Sequence, residues 1–164
     1  MPDKETFVRH CDDWGDKALE CAFFRKGGVD FRAMPAADFE QDLHDVRITR
    51  VIAVDPAFNY AFVDRNLATM KLPVHLINLG LAGERWPTID VGETGSGLAK
   101  RLPDAIYTEF AHANHFTFLA LCKPDAKKLL EEEGEDPICD EPPMGDRQKS
   151  HGELIEEIAR TVLR

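Results

Sequence analysis

The chain has 164 residues, a hydrophobic share of 43% and a formal net charge of −10. That length suits one ordinary domain, and the apolar share permits a real core and argues against wholesale disorder. The acidic balance argues against a nucleic-acid partner or an anionic membrane surface, since either would repel the chain.

Residues 1–45 read as short helices and turns. TFVRHCDDW, KALECAFFR and PAADFEQDL each carry partial helical periodicity, Gly27-Gly28 breaks the run between the second and third, and Pro35 suits the first turn of the third. From residue 46 the texture changes. RITRVIAVDP (47–56) is a β-branched apolar run stopped by Asp-Pro, and it predicts a buried strand. LPVHLINLG (72–80) predicts a second strand and DAIYTEF (104–110) a third with weaker alternation. FVDRNLATM and GSGLAKRLP, between them, predict short helices. Residues 131–149 read as a long polar, Pro-rich loop, with Glu131–Glu133 as a solvated helix end. In the last segment Ser150 and Glu153 form an S-x-x-E capping pattern, followed by an apolar stripe of Leu154, Ile158 and Val162 with Ile155 and Ala159 beside it.

Strands alternating with helices predict parallel strands joined by crossovers, an α/β fold. Three strands are few. Apolar strands such as RVIAVD usually lie inside a sheet covered on both faces, so a three-stranded sheet leaves one of them on an open edge. The chain therefore reads as part of a larger domain.

No apolar run approaches the roughly 18 residues that a spanning helix needs, and the opening MPDKETFVRHCDDW is too polar for a signal peptide. Four cysteines fall in two local pairs, Cys11 with Cys21 and Cys122 with Cys139. No C-x-x-C and no zinc-like Cys/His spacing occurs. The pairs point to two loop-closing disulfides, which need an oxidising compartment; the alternative is four unrelated thiols. No metal or organic cofactor is indicated.

In open α/β sheets, functional groups gather at the carboxyl ends of strands. Asp55 follows the first strand, Glu84 lies shortly after the second, and His115 lies just past the third. A carboxylate beside a histidine makes two thirds of an acid–base–nucleophile triad: the acid fixes the imidazole tautomer, and the imidazole takes the nucleophile's proton. The bland alternatives are a turn-forming Asp before Pro56 and a structural histidine.

The blocks DVRITRVIAVDPAF, LPVHLINLG, LAKRLPDAIYTEFAHANHFTFLALCKP, EGEDPICD and RQKSHGELIEEIARTVL resemble, in order, the carboxyl-terminal half of predicted dienelactone hydrolases. These are α/β-hydrolase-fold serine hydrolases, distantly similar to the platelet-activating-factor acetylhydrolases. The resemblance implies a partial α/β-hydrolase fold: three parallel strands with flanking helices, residues 1–45 as a helical cap or insert, and 46–164 as the carboxyl-terminal part of the core. His115, in NHFTFL, matches the family's catalytic histidine. The acid is Asp55 if the chain follows the acetylhydrolase-like branch and Glu84 if it follows most α/β-hydrolases; Asp55, directly at a strand end, is favoured, with Asp90 third. His112 reads as a loop residue.

The departure from the family is the nucleophile. Its serine lies in a G-x-S-x-G elbow, and this sequence has none. Ser96, in TGSG, reads as a helix N-cap. The resemblance places the missing elbow upstream of residue 1. Two function classes follow. In one, the chain supplies the acid and histidine of an ester hydrolase acting on a small carboxylic ester, with the nucleophile carried elsewhere. In the other, it is a non-catalytic remnant or binding module that self-associates through an open sheet edge. A parent protein with both disulfides would be periplasmic or secreted.

Overall fold

A computed structural model describes residues 2–163. Ten elements carry the site: α1 (Lys4–Trp14), α2 (Leu19–Lys26), α3 (Ala36–Phe39), β1 (Val51–Val54), α4 (Asp64–Leu67), β2 (Val74–Leu79), α5 (Leu98–Arg101), β3 (Ile106–Phe110), α6 (Ala126–Glu133) and α7 (Arg147–Val162). The sheet is parallel throughout, in the order β1-β2-β3, with Val51 opposite Val74 and Leu79 opposite Phe110. The architecture is α/β, a three-stranded parallel sheet flanked by helices, as the alternating pattern predicts.

The centre of the sheet is β2, and all six of its residues are buried. Alternation along the strand divides its side chains between two cores. Val74 and Leu76 pack with Leu67, Val91, Leu98 and Leu102 on one face. Ile77 and Leu79 pack with Ala113 and with Leu154 of α7 on the other. The position of β1 differs from that of a fully buried strand. Among the described residues it pairs only with β2, and its four residues are half-buried. Its apolar composition suits an interior strand, but among the described residues no strand pairs with its outer edge.

Residues before β1 form short helices held by an aromatic cluster. Phe7 of α1 is buried against Phe24, Phe31, Phe39, Phe58 and Tyr60, with ring centroids 4.6–6.4 Å away. Phe58 and Tyr60 belong to the loop after β1, so the cluster ties this segment to the sheet. The Cys11–Cys21 disulfide joins α1 to α2, and Cys122–Cys139 closes the loop around α6. Both expected pairs are therefore present.

The segment after β3 holds α6, which ends in the solvated Glu131–Glu133 run as expected. The rest of the carboxyl-terminal third departs from expectation in two ways. The N-cap of α7 is Asp146, whose carboxylate accepts from the Lys149 amide at 3.0 Å; Ser150 lies a turn inside the helix and is buried. Asp146 precedes Ser150 by four residues and has the extended backbone a cap needs, so the helix starts there. The apolar stripe is also narrower than predicted. Leu154 and Ile158 face the sheet with buried Thr161, whereas Ile155 and Val162 turn toward solvent. The buried face follows Ser150, Leu154 and Thr161, and Val162 lies one step off it.

Candidate active site

Asp55 ends β1 with φ of 43°. This left-handed conformation is one that Asp tolerates better than most residues. The kink turns the carboxylate beneath the end of β2. There Oδ1 accepts from the Leu79 amide at 2.9 Å and from Nδ2 of Asn78 at 2.8 Å. Oδ2 meets Nδ1 of His115 at 3.0 Å. The Asp55 side chain is buried, while that of His115 is 38% exposed. An ionised carboxylate only accepts hydrogen bonds, so Nδ1 of His115 carries the proton and Nε2 holds a lone pair. Among the described residues, no group hydrogen-bonds to that Nε2.

Asn78 explains how a buried carboxylate is held in one orientation. Its side chain is completely buried. Nδ2 donates to Asp55 and to the Ile89 carbonyl, both at 2.8 Å, and Oδ1 accepts from the Val91 amide at 3.0 Å and the Tyr107 hydroxyl at 3.3 Å. Both amide protons and both acceptor positions are filled, which fixes the side chain. Asn78 and Trp86 were not singled out from the sequence. The available signal for Asn78 was an amide inside the otherwise apolar run of β2.

The loop holding His115 is built with similar care. Asn114 accepts from the amides of Phe116 and Thr117, and its own amide donates to the Thr117 hydroxyl, a reciprocal cap on the turn His115–Phe118. From α7, His151 Nε2 lies 2.7 Å from the Thr117 carbonyl, and Arg147 donates to the carbonyls of Ala120 and Ile138. The Cys122–Cys139 bridge closes the same region.

Trp86 lies against His115, with ring centroids 5.3 Å apart, and meets Phe116 edge-on at 5.4 Å. These rings flank a cleft of about 220 Å³ that reaches Ile89, Ala113 and Pro142. A second opening of about 190 Å³, between Val54, Asp55, His115, Phe118 and Leu119, lies on the β1 side of the same histidine.

The other candidates sit apart from the pair. Glu84 is exposed at the cleft and makes no bond to His115. Asp90 is buried but occupied: it accepts from the Gly92 amide at 2.9 Å, the Thr94 hydroxyl at 2.6 Å and Arg85 at 3.3 Å. His112 is exposed. Ser96 is not the N-cap of α5, which is Gly97; one residue earlier, its hydroxyl donates to the Asp90 carbonyl and accepts from the Leu98 amide, both at 3.3 Å. All four cysteines are in disulfides. His10, Glu20 and Cys21 lie close together, but the Cys21 sulfur is bonded to Cys11, which removes the thiolate a metal would need.

Burial raises the pKa of Tyr107, and Arg85, which donates to its oxygen at 2.8 Å, opposes part of that rise. For Arg85, burial alone would lower the pKa; the Tyr107 hydrogen bond and the charges of Asp90 and Glu109 outweigh it and leave the guanidinium above its usual value. In comparison with known proteins, no family model, curated protein or solved structure matches this chain.

Proposed function

We propose that this chain supplies the acid and the histidine of a serine carboxylic-ester hydrolase of the α/β-hydrolase type, Asp55 and His115, and that the nucleophile lies on polypeptide outside residues 1–164. The observation that carries this reading is the paired geometry. Asp55 holds Nδ1 of His115 at 3.0 Å, and among the described residues Nε2 has no hydrogen-bond partner. In the proposed reaction Nε2 takes the proton of the nucleophile's hydroxyl as that oxygen adds to the ester carbonyl. The imidazolium then gives the proton to the leaving alcohol. Water, deprotonated by the same nitrogen, then adds to the acyl carbon, and the imidazolium returns that proton to the nucleophile's oxygen as its bond to the acyl group breaks and the acid leaves. Asp55 stabilises the imidazolium throughout without taking its proton.

The test is covalent capture. Native protein recovered with an antibody against α7 is treated with a fluorophosphonate, and its intact mass is measured. The expected result is a labelled serine on polypeptide continuous with, or co-purifying with, residues 1–164. Native material with no fluorophosphonate-reactive serine contradicts the reading.

The half-buried, unpaired outer side of β1 favours a second reading, a binding module that accepts a strand there, from a second copy or another protein. Phe118, Leu119 and Leu121 are exposed in the segment that begins beside its end. Sedimentation separates the two: this reading predicts a stable complex with no fluorophosphonate label.

A further inference from the structure

We infer that the cleft beside His115 binds an uncharged aromatic ring with a short neutral extension and rejects the matching carboxylate. This deepens the reading of His115 as an ester-hydrolase base, since it names the group such a substrate would carry; the binding itself requires no nucleophile.

Three observations carry the inference. The first is size. The cleft holds about 220 Å³, and a dry cavity of about 150 Å³ accommodates benzene. The difference leaves space for about three further non-hydrogen atoms beyond a six-membered ring.

The second is the lining. Trp86 and Phe116 meet at 77° and form a corner, and Leu79, Ile89 and Ala113 are buried behind it. A planar ring set in such a corner stacks on one aromatic wall and presents its face to the edge of the other, the two arrangements aromatic pairs prefer. Apolar walls with few polar groups are the usual composition of a small-molecule cleft.

The third is charge. Among the described residues, Arg85 is the only lysine or arginine lining the cleft, and its side chain is just 2% exposed. Its guanidinium is already committed to Asp90, Glu109 and the Tyr107 hydroxyl. Two carboxylates face that single cation. At the rim stand Glu84, which is exposed, and Asp140, which is paired with Lys127 at 2.7 Å. A carboxylate entering this cleft would lose its water, meet an acidic rim and find no uncommitted cation. A neutral ring meets none of these costs.

The experiment uses 2-phenylethanol and phenylacetate, which share a ring and a two-carbon extension and differ in charge. Binding is read from amide and indole NMR resonances at neutral pH. Trp14 and Trp86 are the chain's two tryptophans, and Trp14→Phe assigns the Trp86 indole signal. The expected result is a millimolar dissociation constant for 2-phenylethanol, as suits so small a ligand, with shifts centred on Trp86, Ala113 and His115. Phenylacetate should bind at least about ten-fold more weakly. The exposed variant Glu84→Lys, which touches no core contact, should narrow that gap.

Equal or tighter binding of phenylacetate by the unaltered protein overturns the inference, as does an unchanged gap in Glu84→Lys. So do shifts that centre on the separate cavity beside Phe7, Phe24 and Phe31. Absence of a reactive serine on the native polypeptide would defeat the hydrolase reading but leave this binding result standing.

Discussion

His75 and His115 are both held by partners on this sheet, yet they differ in what is left over. His75 lies in the middle strand with its side chain 1% exposed. Its Nδ1 meets the Thr161 hydroxyl at 2.7 Å, and its Nε2 meets the Thr108 hydroxyl at 2.8 Å and lies 3.6 Å from Glu157. Thr161 donates its own proton to the Glu157 carbonyl at 3.0 Å, so Nδ1 of His75 is a donor, and Thr108 fills the lone pair on Nε2. His115 uses the same tautomer with Nδ1 on Asp55, but among the described residues its Nε2 has no partner. A carboxylate near a histidine thus says little about chemistry. An uncommitted second nitrogen at a cleft says more.

That contrast first predicts unequal stability costs. His75→Leu leaves the Thr108 hydroxyl without its buried partner and should cost about 3 kcal/mol of unfolding free energy. His115→Ala removes a half-exposed ring and should cost about 1 kcal/mol or less by the same denaturant titration. Equal costs would break the comparison.

A nearly equal effect is expected from the bridge that closes the His115 region. Replacing Cys122 and Cys139 together by serine should lower stability by about 3 kcal/mol, the scale expected for a loop of this size. Amide exchange should rise around residues 114–121 and stay slow in β2. Uniform loosening of both regions would show that the bridge does not act locally.

Diethyl pyrocarbonate, which acylates an unprotonated imidazole nitrogen, should distinguish the two rings in rate. Peptide mapping should find His115 modified at least about ten-fold faster than His75, whose exposure requires opening of the core. Comparable rates would contradict the assignment of a free Nε2.

The smallest expected effect concerns the tyrosines, of which the chain has two. Burial raises both pKa values, with the Glu20 carboxylate adding to the rise at Tyr60. Each phenol therefore holds its proton more tightly in the folded chain than in the unfolded one. Their stabilising contribution is complete below the unfolded value of about 10 and declines as pH rises beyond it. Absorbance near 295 nm should show tyrosine ionisation displaced to higher pH in the folded chain than in the unfolded one. Because Tyr107 also donates to Asn78, Tyr107→Phe should loosen the Asp55 support without touching His75's own bonds.

The strands were legible because β-branched runs bounded by Pro and Gly leave little choice, and the sulfur pairs were legible because their spacings are short. Asp55 and His115 were legible as strand-end residues. The sequence could not show that they meet, since 60 residues separate them and the kink at Asp55 is a backbone conformation. Asn78 was hidden inside an apolar strand, where its role depends on Ile89 and Val91 folding back over it. The α7 cap was misplaced because Ser150 and Glu153 fit a local capping pattern, whereas Asp146, one turn earlier, caps the Lys149 amide without a Glu or Gln three residues on.

The most direct test of the account is turnover of a neutral aryl ester by the native assembly containing residues 1–164, compared with the same assembly carrying His115→Ala. The account predicts measurable hydrolysis that falls at least about a thousand-fold in kcat in the variant, because the nucleophile loses its base. Hydrolysis that survives His115→Ala within ten-fold, or an unaltered assembly that never turns over such an ester, would contradict it.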